Sequence, residues 1–294
     1  MNIQNNLTIP IKTLKQATEI IGGFTVTSKM PTISYSISAK DCITGSKLRL
    51  IKNTVCSDCY ALKGNYIRYA KNIEKAQNKR LKAIFSKDWT NAMIYIMKHQ
   101  KDVIRTGLFR WHDSGDIQSL EHLQKIIDIA KATPNIKHWL PTKESNFIQN
   151  YKGNIPKNLI IRLSGSFIDG KAPKYTNTST VVSDKKNATC KAINGKCLTC
   201  SDCWNSSIKN VIPISSNHKL LMFLSSGKVL TLDPNVLPGG KASPKSYIEL
   251  INVGVDEKLI GVFNANKQNK LLIISKLGKG FISISENMVT NQKK

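Results

Sequence analysis

Cysteine is the residue whose placement in this chain carries the most chemistry. Seven occur in two groups: Cys42, Cys56 and Cys59, then Cys190, Cys197, Cys200 and Cys203. The stretch CKAINGKCLTCSDCW, Cys190 to Trp204, repeats a two-residue interval that lets one loop wrap a metal centre. Four thiolates fill a coordination shell, so this group is expected to be closed and structural or electron-relaying. It suits either a 4Fe–4S cluster or a tetrahedral zinc ion. Cys42, Cys56 and Cys59 supply three ligands and leave one position open, which a catalytic metal needs. Disulfide pairing is the weaker reading, because the total is odd. The start MNIQNNLTIPIKTLKQ also lacks the charged, apolar, small order of a secretion signal. No apolar run reaches bilayer length, so the cytoplasm is the expected compartment, with no membrane partner.

The elements that must position these thiols alternate between strand and helix. TISYSIS (32–38), GLFRWH (107–112), IKHWLP and NLIIRLS read as strands, and NYIRYAKNIEKAQNKRLKAIF and WTNAMIYIMKHQ as helices. In IQSLEHLQKIIDIAKAT, helical spacing places Ile117, Leu120, Leu123, Ile127 and Ala130 on one face. Such alternation implies an α/β fold with a parallel sheet, or a partial (β/α) barrel, in residues 23–210 after an N-terminal segment 1–22. Chemistry gathers at the carboxyl ends of such strands, and here those ends are polar. Past the first come the three cysteines; past the second, His112, Asp113, Ser114, Gly115 and Asp116; then Lys143 and Glu144; then Ser164. The catalytic candidates are therefore His112, Asp113, Asp116, Lys143, Glu144 and Ser164. Taken singly, each is an ordinary cap or turn; taken together, they would line one mouth. Trp111, Trp139 and Trp204 read as core rather than base-stacking residues.

The charge is +25 at neutral pH, mostly from lysine, and such a field suits a polyanion. Lysines along 63–82 read as a solvated helix face or as a track for phosphates. A zinc nucleobase deaminase is disfavoured, because its H-x-E motif does not occur. The text changes near residues 210–216. Beyond it, Lys219-Leu220-Leu221 recurs as Lys270-Leu271-Leu272, and Gly227-Lys228 as Gly278-Lys279, so each copy reads as a strand, a glycine turn and a strand.

LLMFLSSGKVLTLDPNVLPGGKASPKSYIELINV, with LLIISKLGKGFISISENMV, resembles the C-terminal β-pinwheel of the topoisomerase IV A subunit. The resemblance spans 213–294 and implies a partial all-β pinwheel that contacts DNA, with Lys241 and Lys245 as the phosphate contacts in a loop opened by Gly239 and Gly240. The topoisomerase domain with the strand-cleaving tyrosine is absent, so strand passage is not expected.

CSDCYALKGNY, FRWHDSGDI, HWLPTKE, LIIRLSGS and the terminal CW resemble the phage gene product 88 family over about 20–210. That resemblance implies a phage-type protein and no particular reaction. The order of strand, cysteine loop, long helix and strand ending in Ser-Gly-Asp also resembles the start of radical S-adenosylmethionine enzymes, although the Cys42 to Cys56 interval is wider than theirs. It implies a cluster that binds S-adenosylmethionine, with Ser114, Gly115 and Asp116 holding the cofactor. The expectation is a phage-type iron–sulfur protein of this organisation joined to a DNA-binding pinwheel. The alternative is a zinc-stabilised, non-enzymatic DNA-binding protein.

Overall fold

A computed structural model describes residues 10–27, 29–192, 196–197, 199–213, 220–232, 256–265, 270–275 and 277–289. The chain divides into two units, Met1–Ile214 and Ser215–Lys294.

The first unit is built on six strands: β1 (Ser34–Tyr35), β2 (Leu108–Trp111), β3 (Lys137–Thr142), β4 (Leu159–Ile168), β5 (Thr178–Val181) and β6 (Asn210–Val211). Neighbours in sequence are neighbours in the sheet, and every pair is parallel. Each pair therefore needs a crossover, which the helices and the long segment before β6 provide. The barrel expectation is corrected: among the described residues no pairing of β1 with β6 closes the sheet. What holds is the coarser reading, a mixed α/β unit on a parallel sheet.

The helices are α1 (Leu14–Ile20), α2 (Ile43–Leu48), α3 (Asn65–Arg68), α4 (Ala70–Ile84), α5 (Trp89–His99), α6 (Lys101–Thr106), α7 (Leu120–Ala132) and α8 (Ser145–Asn150). In α5, Trp89, Ala92, Met93, Ile96 and Met97 are buried, the spacing of one helical stripe. The helix expected over 65–85 is two helices, because the backbone leaves helical geometry at Tyr69. The face expected for α7 is also corrected. Ser119 caps this helix by accepting from the His122 N–H, which leaves Ile117 outside it. Leu120 is exposed, and the buried side is formed by His122, Leu123, Ile126, Ile127, Ile129 and Ala130.

Strand alternation sends side chains to two different covers. Phe109, Trp111, Leu140, Leu159 and Ile161 join the hydrophobic core with α1, α5 and α7 residues. Arg110, Trp139 and Arg162 point the other way. There Trp204 packs edge-on against Trp139, its indole N–H donating to the Phe109 carbonyl at 2.8 Å. Residues 199–208, which carry Cys200 and Cys203, therefore cover the second face with a short 3-10 turn, Asp202–Trp204, and no α-helix. Trp111 and Trp204 are core residues, 0% and 2% exposed.

In the second unit, β7 (Leu220–Leu224) pairs antiparallel with β8 (Val229–Leu232) and β9 (Leu259–Asn264). The strands β10 (Lys270–Ile274) and β11 (Gly280–Ile284) form a separate hairpin. Both hairpin turns carry a glycine at positive φ, Gly227 at 87° and Gly278 at 74°. The strand expected at YIELINV, and Lys241 and Lys245, lie outside the described residues.

Candidate functional site

The first three cysteines are held at the carboxyl ends of β1 and β4. Cys42 precedes α2 and Cys59 precedes a short 3-10 turn, Tyr60–Leu62, both with extended backbone. Cys56 sits in a turn pinned by Thr54, whose hydroxyl accepts from the Ser57 N–H at 3.0 Å. The loop is tied to the end of β4, where Val55 N donates to Ser166 O at 2.8 Å. Gly45 makes room for Cys42: a Cβ there would stand 2.9 Å from Cys42 Cβ, and in ordinary contact with Cys42 Sγ at 3.5 Å and Cys56 Sγ at 3.7 Å.

Asp116 organises the opposite wall. Its Oδ1 accepts from Ile117 N at 2.8 Å and Thr142 Oγ1 at 2.6 Å, and its Oδ2 accepts from Lys143 N at 2.8 Å. Burial pushes its pKa up to about 6 against these bonds. The neighbouring Lys143 ammonium donates to the Gly165 carbonyl. Glu144 holds the start of α2, accepting from Thr44 N and Thr44 Oγ1, each at 2.8 Å. Lys143, Asp116 and Glu144 thus converge on the thiols. Burial pushes the Cys42 thiol up, and the Asp116 charge adds to it. Burial also raises Cys56, while the Lys143 ammonium pulls it back. Lys143 is itself pushed down by burial.

The other expected residues are placed differently. His112, at φ 52°, turns into the core, where its ring stands 5.4 Å edge-on to His122. Burial, helped by Arg110, pushes its pKa down to about 3. Asp113 accepts from Ser34 Oγ at 2.6 Å and takes the Tyr60 hydroxyl on its carbonyl. Ser114 donates to Ile37 O at 2.8 Å. Gly115 is at φ 83°, and Ser164 bonds Ser179 at 3.2 Å. A pocket at the start of β2 and β3, lined by Met97, Val103, Gly107, Pro134 and Ile136, holds none of these residues.

The second thiol group meets Arg110. Cys197 Sγ is 3.7 Å from Met30 Sδ, to which Arg110 Nη1 donates at 3.4 Å. Burial pushes Cys203 up to about 12, with Arg162 opposing. Arg162 was not expected from the sequence. It is fully buried and spends its guanidinium on the carbonyls of Cys203, Thr178, Ile208, Asp202 and Asn205, at 2.7 to 3.3 Å. Gly45 was missed for the same reason: neither residue's role is visible without its distant neighbours.

The metal-centred functions expected from the sequence are corrected here. Among the described residues, no three His, Cys, Asp or Glu side chains are grouped so as to hold a metal ion. A metal needs its donors at about 2.0–2.3 Å on a shared centre. The thiols of the first group stand around Gly45 beside the Lys143 ammonium, and no such shared centre is found among the described residues. Neither the iron–sulfur enzyme nor the zinc-stabilised binding protein follows. The radical S-adenosylmethionine organisation finds no support either.

Comparison with known proteins adds two findings. The family model described as Gene product 88 matches residues 10–219. The A subunit of DNA topoisomerase 4 from Caulobacter vibrioides is 30% identical over 83 residues, 28% of this chain and 11% of that protein. The chain thus spans about a tenth of the length of that relative. No solved structure matches the chain.

Proposed function

Since the chain belongs to the phage family described as Gene product 88, we propose that its first unit is a thiol–disulfide exchange protein whose attacking group is Cys56. One observation carries this reading: a Cβ at Gly45 would stand 3.5 Å from Cys42 Sγ and 3.7 Å from Cys56 Sγ, so two thiols flank one residue; the Lys143 ammonium beside them opposes the burial that, on balance, raises Cys56. An attacking thiol needs an adjacent cation, and a resolving thiol must lie within reach. Cys59 completes a C-x-x-C pair with Cys56 and is the second resolving candidate.

The oxidant is an incoming disulfide, small or protein-borne. The Cys56 thiolate attacks one sulfur, the S–S bond breaks, and one thiol leaves carrying the proton that Cys56 had lost. The product is a mixed disulfide. The Cys42 sulfur then attacks Cys56 Sγ, its proton passing to the departing second thiolate. Two cysteine thiols become one disulfide and the substrate disulfide becomes two thiols, a balanced two-electron exchange. Lys143 steadies the thiolate before the first attack, while Asp116 and Glu144 hold the wall and the start of α2 in place.

Trace alkylation of the reduced protein by iodoacetamide, mapped by mass spectrometry, tests the reading. Cys56 should label first, and Lys143→Gln should slow it several-fold near pH 7, because the cation that opposes the burial of the thiol is gone. First labelling at Cys42 or Cys59, or a rate indifferent to Lys143, overturns it. So does protein purified without oxygen that holds iron or zinc and shields all three thiols.

A second reading concerns the second unit. Its paired hairpins and the match to the topoisomerase subunit support a partial pinwheel that contacts DNA. Duplex affinity that survives removal of residues 215–294 refutes it.

A further inference from the structure

α4 is fixed to the sheet by its inner side. Arg80 donates to Ser36 O at 3.1 Å, Ser36 Oγ at 2.8 Å and Thr25 Oγ1 at 3.1 Å, and its carbonyl accepts from Tyr35 OH at 2.9 Å. Gln77, Arg80 and Ile84 are buried there. The outer side is cationic: Lys71, Lys75, Lys79 and Lys82 are all exposed, and Arg68 of α3 extends the row. At 3.6 residues per turn the four lysines fall on one face, about one charge per turn over roughly 16 Å. Glu74, the acid of this helix, is engaged by Lys40. None of the four lysines forms an ion pair among the described residues. Phe85 closes the same face, 56% exposed, and Tyr69 stands exposed at its start.

We infer that this face is a binding track for single-stranded nucleic acid, distinct from the thiol site and from the second unit. A row of unneutralised cations follows a phosphate backbone, and exposed aromatic rings take unstacked bases. A duplex would keep its base faces hidden from Phe85 and Tyr69. A membrane-surface helix needs a free apolar side to insert, and that side of α4 is already spent on the core.

The test uses the full chain and a fluorescein-labelled oligothymidine of about 20 nucleotides, read by anisotropy across a salt series. Replacing the four lysines (Lys71→Gln, Lys75→Gln, Lys79→Gln, Lys82→Gln) should flatten the logarithmic salt slope by about 3, since each phosphate contact on a single strand contributes about 0.7. Phe85→Ala should weaken binding about fivefold or more and leave the slope unchanged. Lys152→Gln with Lys157→Gln, exposed lysines elsewhere on the first unit, should leave oligothymidine binding intact. The inference is overturned by an unchanged slope in the four-lysine variant, or by loss of binding in the Lys152 and Lys157 variant instead. It is also overturned by tighter binding of a 20-base-pair duplex, or of phosphatidylserine vesicles, than of the single strand. Thermal melting of each variant accompanies the titrations, and the single variants Lys75→Gln and Lys79→Gln, each expected to remove about 0.7 from the slope, decide the matter if the combined one is unstable.

Discussion

Replacing Arg162 by methionine should cost the first unit about 3–5 kcal/mol. The side chain is fully buried and its five N–H groups meet five backbone carbonyls, with no carboxylate partner among them. Methionine keeps much of the volume and removes the charge, so the cost lies in the carbonyls left behind. Three of these keep another donor. Asp202 O accepts from Asn205 N at 3.1 Å, Asn205 O from Ile208 N at 3.2 Å, and Ile208 O from Asn177 Nδ2 at 3.1 Å. Thr178 O also stays in the parallel β5–β6 ladder, which pairs Thr178 with Asn210, so the loss concentrates on Cys203 O, at roughly 1–3 kcal/mol for a buried acceptor left short, with the remainder from the charge-assisted bonds lost at the other four. The segment that covers the second face of the sheet would loosen with them, exposing Trp204 and Trp139. For a unit of this size the cost corresponds to a fall of roughly 6–20 °C in Tm. Tryptophan fluorescence during thermal unfolding reads it, and amide exchange over 200–211 locates it. A fall of less than about 3 °C, or unchanged protection of that segment, would refute the assignment of Arg162 as the anchor of the second thiol group.

Two further outcomes follow from the wall of the site. Gly115→Ala should destabilise by about 2–4 kcal/mol, because at φ 83° its Cβ would stand 2.3 Å from Ile37 Cγ1 and 2.9 Å from Ile37 O. Gly64→Ala, at φ 55° with open space around it, should cost only about 1 kcal/mol; equal urea midpoints for the two variants would contradict the close approach of the strand ends. Asp116, pushed up to about 6, binds its proton more tightly when folded than when unfolded. Its contribution should be full below pH ~4 and fall by up to ~3 kcal/mol as pH rises to about 6, then level off. Urea unfolding of Asp116→Asn against the parent between pH 4 and 7 checks this, and an identical pH slope in the two proteins would exclude a buried, proton-holding Asp116.

The sequence alone determined the alternation of strand and helix in the first unit, the polar strand ends and the glycine-turned hairpins of the second. These rest on periods of 2 and 3.6 residues and on turn chemistry, which act over a few positions. It also showed that Lys143 and Glu144 would follow a strand beside the cysteine loop. Tertiary structure decided what the residues do there. Asp116 looks in sequence like a cap for the next helix, yet Ser119 takes that role and Asp116 binds the Thr142–Lys143 strand end. His112, the conspicuous acid–base candidate, turns into the core at positive φ. Cysteine spacing suggested metal sites, but spacing along a chain does not set distances between sulfurs. Those depend on where β4 ends, on the space left at Gly45 and on the reach of Lys143. Arg162 is the clearest case: its surroundings come from residues 178 and 202–208, and no local pattern encodes which backbone carbonyls will close around a buried cation.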